Sequence, residues 1–209
     1  MTTTATVPTI SSTSSSTRAK IAGGPTPEEP FPIKMSGTVI KGFGRGSKEL
    51  GIPTANLPEE SVDAQGHHME TGIYYGWAQV VVKNKPKHNN DHNKSKNSLL
   101  VAGSASSSTA SLATHCPAIV YPMVMSLGWN PFYKNEKKSA EVHIMHNFHR
   151  DFYGDDLRVV VLGYIRPEFD YTTLDALIKD INIDIEVAHR SLERPDYAIF
   201  KEDPLFLHL

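Results

Sequence analysis

Apolar runs rich in β-branched and aromatic residues recur along the chain, and these predict strands. Gly37 to Ile40 is a short β-branched run. Ile73 to Val82 is rich in aromatic and β-branched residues. Ile119 to Leu127, Ser139 to Phe148 and Leu157 to Ile165 follow. One pattern has the helical period. Leu174, Leu177, Ile178, Ile181, Ile185, Ala188 and Leu192 recur at three- and four-residue spacing. Thr172 with Asp175 three residues on resembles a capping box, and Pro195 stops the helix. Strands first and one late helix predict a mainly β fold, a small antiparallel β-barrel with a C-terminal α-helix packed on it.

Two segments carry no such pattern. Residues 1–17 hold twelve Ser or Thr, and a Pro-rich stretch follows, so a disordered tail is expected over 1–34. Residues 83–116 run from Lys, Asn and His to Ser and Ala, and lie between two strand-like runs. They are read as a low-complexity insertion in a hairpin, because loop-closure entropy grows slowly with length. The domain is then 35–209, carrying the insertion at 83–116.

Charge and composition narrow the function. With 21 Lys plus Arg against 23 Asp plus Glu, the chain lacks the basic footprint of a non-specific nucleic-acid binder. Its one cysteine, Cys116, excludes an intramolecular disulfide and a multi-cysteine metal site. No apolar run is long enough for a transmembrane segment. A cytoplasmic monomer is expected. The tail lacks acidic residues before Glu28, which a mitochondrial transit peptide would share, but it has few basic residues and no amphipathic stripe. Five lysines in the insertion are the weaker argument for peripheral membrane association.

Three segments could carry chemistry. In Gly42-Phe43-Gly44-Arg45-Gly46-Ser47-Lys48 three alternate glycines follow a strand, with Lys41, Arg45 and Lys48 around them. Such a loop lets backbone N–H groups approach a polyphosphate, although the same spacing suits an ordinary glycine-rich turn. In Pro53-Thr54-Ala55-Asn56, an extended backbone projects Thr54 and Asn56 to one side. Their hard, neutral oxygens suit Mg²⁺ completed by phosphates and water, or they serve nearby backbone as a turn. In Ser139 to Phe148, Val142, Ile144 and Phe148 share one strand face, while Glu141 and His143 share the other. Glu141 could orient a hydroxyl and take its proton, or be a solvated strand residue. His143, His146 and His149 do not converge in a strand, which puts the first two on opposite faces. Arg166 either binds an anion, caps carbonyls or makes a surface ion pair.

These segments, together with Thr71-Gly72-Ile73-Tyr74-Tyr75-Gly76-Trp77, Ser126-Leu127-Gly128-Trp129-Asn130-Pro131, Asp151-Phe152-Tyr153-Gly154 and Gly163-Tyr164-Ile165-Arg166-Pro167-Glu168, resemble in order and register the eukaryotic monofunctional riboflavin kinases. The resemblance implies a six-stranded antiparallel barrel that transfers the ATP γ-phosphate to the ribityl 5′-hydroxyl of riboflavin, giving FMN and ADP. It implies ATP binding by Gly42, Gly44, Arg45, Gly46, Lys48 and Thr54. It places a metal on Thr54 and Asn56, with Mg²⁺ expected and Zn²⁺ or Mn²⁺ as alternatives. Glu141 would be the catalytic base, and Arg166 would begin the flavin-binding segment. Phe169 stands where relatives often carry Lys, and Ala176 where a Ser can occur. The rivals are a bifunctional enzyme that also adenylylates FMN, for which no His-x-Gly-His-like motif is present, and a barrel that only binds flavin or nucleotide.

Overall fold

The computed structural model describes residues 9–10, 18–42, 51–66, 69–83, 119–129 and 137–207. They belong to one unit formed by residues 1–83 and 118–209. The insertion expected at 83–116 lies, beyond Lys83, outside the described residues.

A two-residue strand β1 (Thr9–Ile10) precedes β2 (Ile33–Thr38), β3 (Ala55–Asn56), α1 (Glu59–Gly66), β4 (Gly72–Val81), β5 (Val120–Trp129), β6 (Lys138–Ile144) and β7 (Asp156–Arg166). The strand β8 (Asp170–Tyr171) pairs with β1 and leads into α2 (Leu174–Leu192), followed by the single turns α3 (Pro195–Ala198) and α4 (Pro204–Leu207). Six strands form one antiparallel sheet in the order β2-β7-β4-β5-β6-β3. The sheet curls until its outer strands meet at one bridge, where the Ile40 amide donates to the Asn56 carbonyl at 3.1 Å. The expected mainly β, six-stranded barrel is therefore present as a curled half-barrel.

The pleat sorts side chains onto two faces. Met35, Tyr74, Ala78, Met123, Met125, Leu127, Val142, Leu157, Val159 and Val161 fill the concave side. Tyr75, Trp77, Val124, Val160 and Leu162 point outward and are covered by Ala188 and Leu192 of α2, with Tyr197 and Phe206. β4 and β7 are buried on both faces, which is why they read as nearly continuous apolar runs. The outer layer includes hydrogen bonds from the Trp77 indole to the Tyr197 carbonyl (2.9 Å) and from the Gln79 amide to the Phe206 carbonyl (3.0 Å). The late helix thus completes the domain as expected.

Three expectations change. The helix begins one residue later than the capping pattern indicates: Thr173, with extended backbone, accepts from the Ala176 amide at 3.3 Å. β6 ends at Ile144, and Phe148 reaches the core rim from the following loop. The tail expected to be disordered to residue 34 is instead placed from Arg18 onward. Its polar backbone finds partners across the chain. Ala22 donates to Ser191 Oγ at 2.9 Å, while its carbonyl accepts from Tyr75 (2.9 Å) and Arg194 (2.7 Å). Ile33 and Met35 are already core residues. Low local hydrophobicity did not signal this, because hydrogen bonds to distant residues hold much of the segment, beside the apolar contacts of Ala22, Phe31 and Ile33.

Candidate active site

Five residues stand in one row across the convex face. Asn56, Glu141, Ser126, Ile73 and Arg166 are successive Cα partners on β3, β6, β5, β4 and β7. Directly opposed residues point to the same side of a sheet, so register alone gathers four polar groups. Thr54, two residues before Asn56, joins them: its hydroxyl donates to Glu141 Oε2 at 3.4 Å. From the loop after β7, Glu168 reaches back to accept from Ser126 Oγ at 3.4 Å. Glu168 lies so close above Gly128 that a Cβ there would stand 2.5 Å from its carboxyl oxygen. Burial pushes the Glu168 carboxyl up; Ser126 and Arg166 oppose the shift, and Glu141 adds to it.

Asn56 is buried beside Gly42, where any Cβ would overlap its amide. The first glycine of the loop is thereby explained: it lets the backbone pass over the Asn56 side chain. Gly44, Arg45, Gly46 and Lys48 lie outside the described residues. Next to Glu141, His143 Nδ1 is 2.9 Å from the Pro53 carbonyl. Burial pushes this imidazole down, against the pull of that carbonyl, so His143 is neutral near pH 7 and holds the backbone just before Thr54.

Thr54 also edges a cavity of about 640 Å³ at the rim of the barrel. Pro53, Ile144, His146, Phe148, Phe152 and Tyr153 contribute to its wall. His146 stacks on Tyr121 at 4.2 Å, and Phe148 meets Phe152 edge-on at 4.8 Å. His146 thus belongs to the cavity, and His143 to the opposite, convex face. Among the described residues no three His, Cys, Asp or Glu side chains gather as a metal group.

A family model described as Flavokinase, riboflavin kinase, matches residues 29–192. The chain belongs to the riboflavin kinase family. A riboflavin kinase of Pyricularia oryzae is 50% identical over 169 residues, covering 80% of this chain and 74% of the relative. The human riboflavin kinase is 45% identical over 176 residues, covering 84% and 91%. The crystal structure of riboflavin kinase from Trypanosoma brucei shares the fold, with a TM-score of 0.57 at 23% identity, covering 85% of this chain and 90% of that one.

Of the residues that resemblance to riboflavin kinases singles out, the structure brings together Gly42, Thr54, Asn56 and Glu141. Arg166 shares their row, but its guanidinium is engaged elsewhere. It is buried, donates to both carboxylate oxygens of Asp184 at 2.6–3.1 Å, and stacks on Phe169 at 4.9 Å. The surface ion pair considered from the sequence is thus a buried one, and no anion is needed to satisfy this arginine. Ser126 and Glu168 went unassigned in the sequence. Ser126 is the one small polar residue in a mostly apolar strand, a signal that could have marked it. The aromatic cavity had no such signal, since its walls come from three separate segments.

Proposed function

We propose that this chain is a riboflavin kinase that uses ATP to phosphorylate the ribityl 5′-hydroxyl. The observation that carries the reading is the Thr54–Glu141 contact, because Thr54 edges the cavity while Glu141 faces the convex surface. A nucleotide in the aromatic-walled cavity would direct its phosphates toward Gly42, Thr54 and Asn56. The acceptor approaches from the side of Glu141. Half-buried Leu177, Ile178 and Ile181 and exposed Leu174 at the front of α2 offer apolar surface for the flavin ring beyond Glu168.

The residues fit a hard divalent cation. Asn56 Oδ1 and Thr54 Oγ1 are oxygen donors beside a carboxylate, and glycine at 42 leaves room for the Asn56 amide among them. Thr54 and Asn56 would hold Mg²⁺, which supplies charge neutralisation to the ATP phosphates when bound. Glu141 accepts a hydrogen bond from the 5′-hydroxyl and aligns that oxygen with the γ-phosphorus. As the new P–O bond forms and the bond to the β,γ-bridging oxygen breaks, the hydroxyl proton passes to Glu141 and then to solvent. ADP leaves with the bridging oxygen. Positioning and neutralisation carry most of such a reaction. Arg166, held by Asp184, donates to the Pro167 carbonyl and is a positioning residue for Pro167 and Glu168.

Incubating the full chain with riboflavin, ATP and Mg²⁺ and separating flavins chromatographically tests the reading. FMN formation at the expense of ATP is expected, and no FMN from folded protein overturns it.

A further inference from the structure

Arg18 opens the first long stretch of described residues, and its side chain reaches a helix more than 160 positions further along the chain. It donates to Asp184 Oδ1 at 2.6 Å and to Asp180 Oδ1 at 2.7 Å, one helical turn apart on α2. Asp184 is the carboxylate that holds Arg166, and Asp180 Oδ2 lies 3.5 Å from the same guanidinium. The Tyr171 hydroxyl also donates to Asp180. Two arginines and two aspartates therefore form a neutral, largely buried square. Arg18 is 16% exposed, Arg166 6%, Asp180 16% and Asp184 1%. Arg18 is held in place from behind, since the Ala22 and Gly24 backbone is fastened to Ser191, Tyr75, Arg194 and Tyr197.

Arg166 leads directly into the acceptor side of the site. Its second amino group donates to the Pro167 carbonyl at 2.9 Å, and the next residue is Glu168, lodged on Ser126 opposite Glu141. We propose that Arg18 is a positioning residue for riboflavin: by sharing Asp180 and Asp184 it keeps Arg166 on Asp184 and so holds the Pro167–Glu168 loop in place. Without Arg18 the single cation Arg166 faces two desolvated carboxylates. It is drawn toward Asp180, and the loop that follows is displaced. The C-terminal half of α2 stays packed through Val187, Ala188 and Leu192, so the change acts on the loop and not on the nucleotide cavity. The inference rests on the proposed kinase activity, because it assigns this loop to the flavin.

Steady-state kinetics on the full chain tests it, with FMN affinity measured separately by flavin fluorescence. R18A is expected to raise the riboflavin KM and the FMN Kd about tenfold, while the ATP KM stays within about twofold. R18K should fall between, since one ammonium cannot bridge both carboxylates as a guanidinium does. The double variant R18A/D180N restores one cation to one anion and should recover most of the riboflavin KM. Should R18A fail to fold, R18K and the double variant carry the same comparison. Equal shifts in both KM values, an unchanged riboflavin KM, or no recovery in the folded double variant would overturn the proposal. Inactive wild-type protein would instead overturn the function on which it rests.

Discussion

Asn56 and Glu141 are direct cross-strand partners, and the backbone carbonyl of Asn56 also links the two sheet edges by accepting from Ile40. The residue proposed to hold the cation is therefore fixed by the same bonds that join the sheet edges. Its neighbour, the proposed base, sits in the row beside it at a distance set by strand spacing. Placing the two on rigid strands rather than on a loop suits a reaction that depends on alignment.

Glu141→Gln keeps the shape and removes the charge. Turnover should fall about a hundredfold or more, the usual loss for a general base, while ATP affinity and melting temperature stay near wild type. Stopped assays of FMN formation and a nucleotide titration check this, and near-normal turnover in a folded variant would remove Glu141 from the chemistry.

Asn56→Asp adds a second negative charge beside Glu141. The Mg²⁺ dependence of FMN formation should shift before riboflavin affinity does. Rate measured against Mg²⁺ at saturating ATP and riboflavin gives the result. A fall in flavin affinity at unchanged metal dependence would place Asn56 in the flavin pocket.

Glu168 has its carboxyl pushed up by burial, so the folded state binds this proton more tightly than the unfolded state. Its contribution to stability is complete below the ordinary glutamate range and is lost as pH rises through the raised folded value. Glu168→Gln should therefore melt higher than wild type at pH 7 and together with it at pH 4. Thermal unfolding at the two pH values tests this, and a variant less stable at pH 7 would contradict the stated burial effect.

Replacing residues 85–114 by a short Gly/Asn-containing turn should leave both Michaelis constants within about threefold. β4 and β5 pair as far as Gln79 with Val120, so the segment begins and ends at one end of a hairpin. Five Lys, five Asn and seven Ser within residues 83–116 leave it few groups to bury. A folded deletion variant with collapsed turnover would show that the insertion reaches the active site.

Local pattern carried the framework. Runs of β-branched and aromatic residues marked β4, β5, β6 and β7 to within a few residues, the helical stripe marked α2, and within β6 the two-residue repeat of a pleat sorted the faces. Glu141 could be placed opposite Val142 from that repeat alone. The short α1 has no such stripe, since among Glu59 to Ala64 only Val62 is buried.

Long-range relationships had no local trace. No spacing within one segment tells that Asn56, Glu141 and Ser126 share a row, because strand register is set when three distant runs pair. Nor does any tell that Arg166 spends its charge on Asp184, or that Arg18 crosses the chain to join them. A charged side chain reads alike in sequence whether it faces water or a buried partner. The cost of removing it from water, and the partner that offsets that cost, arise only when α2 folds over the sheet.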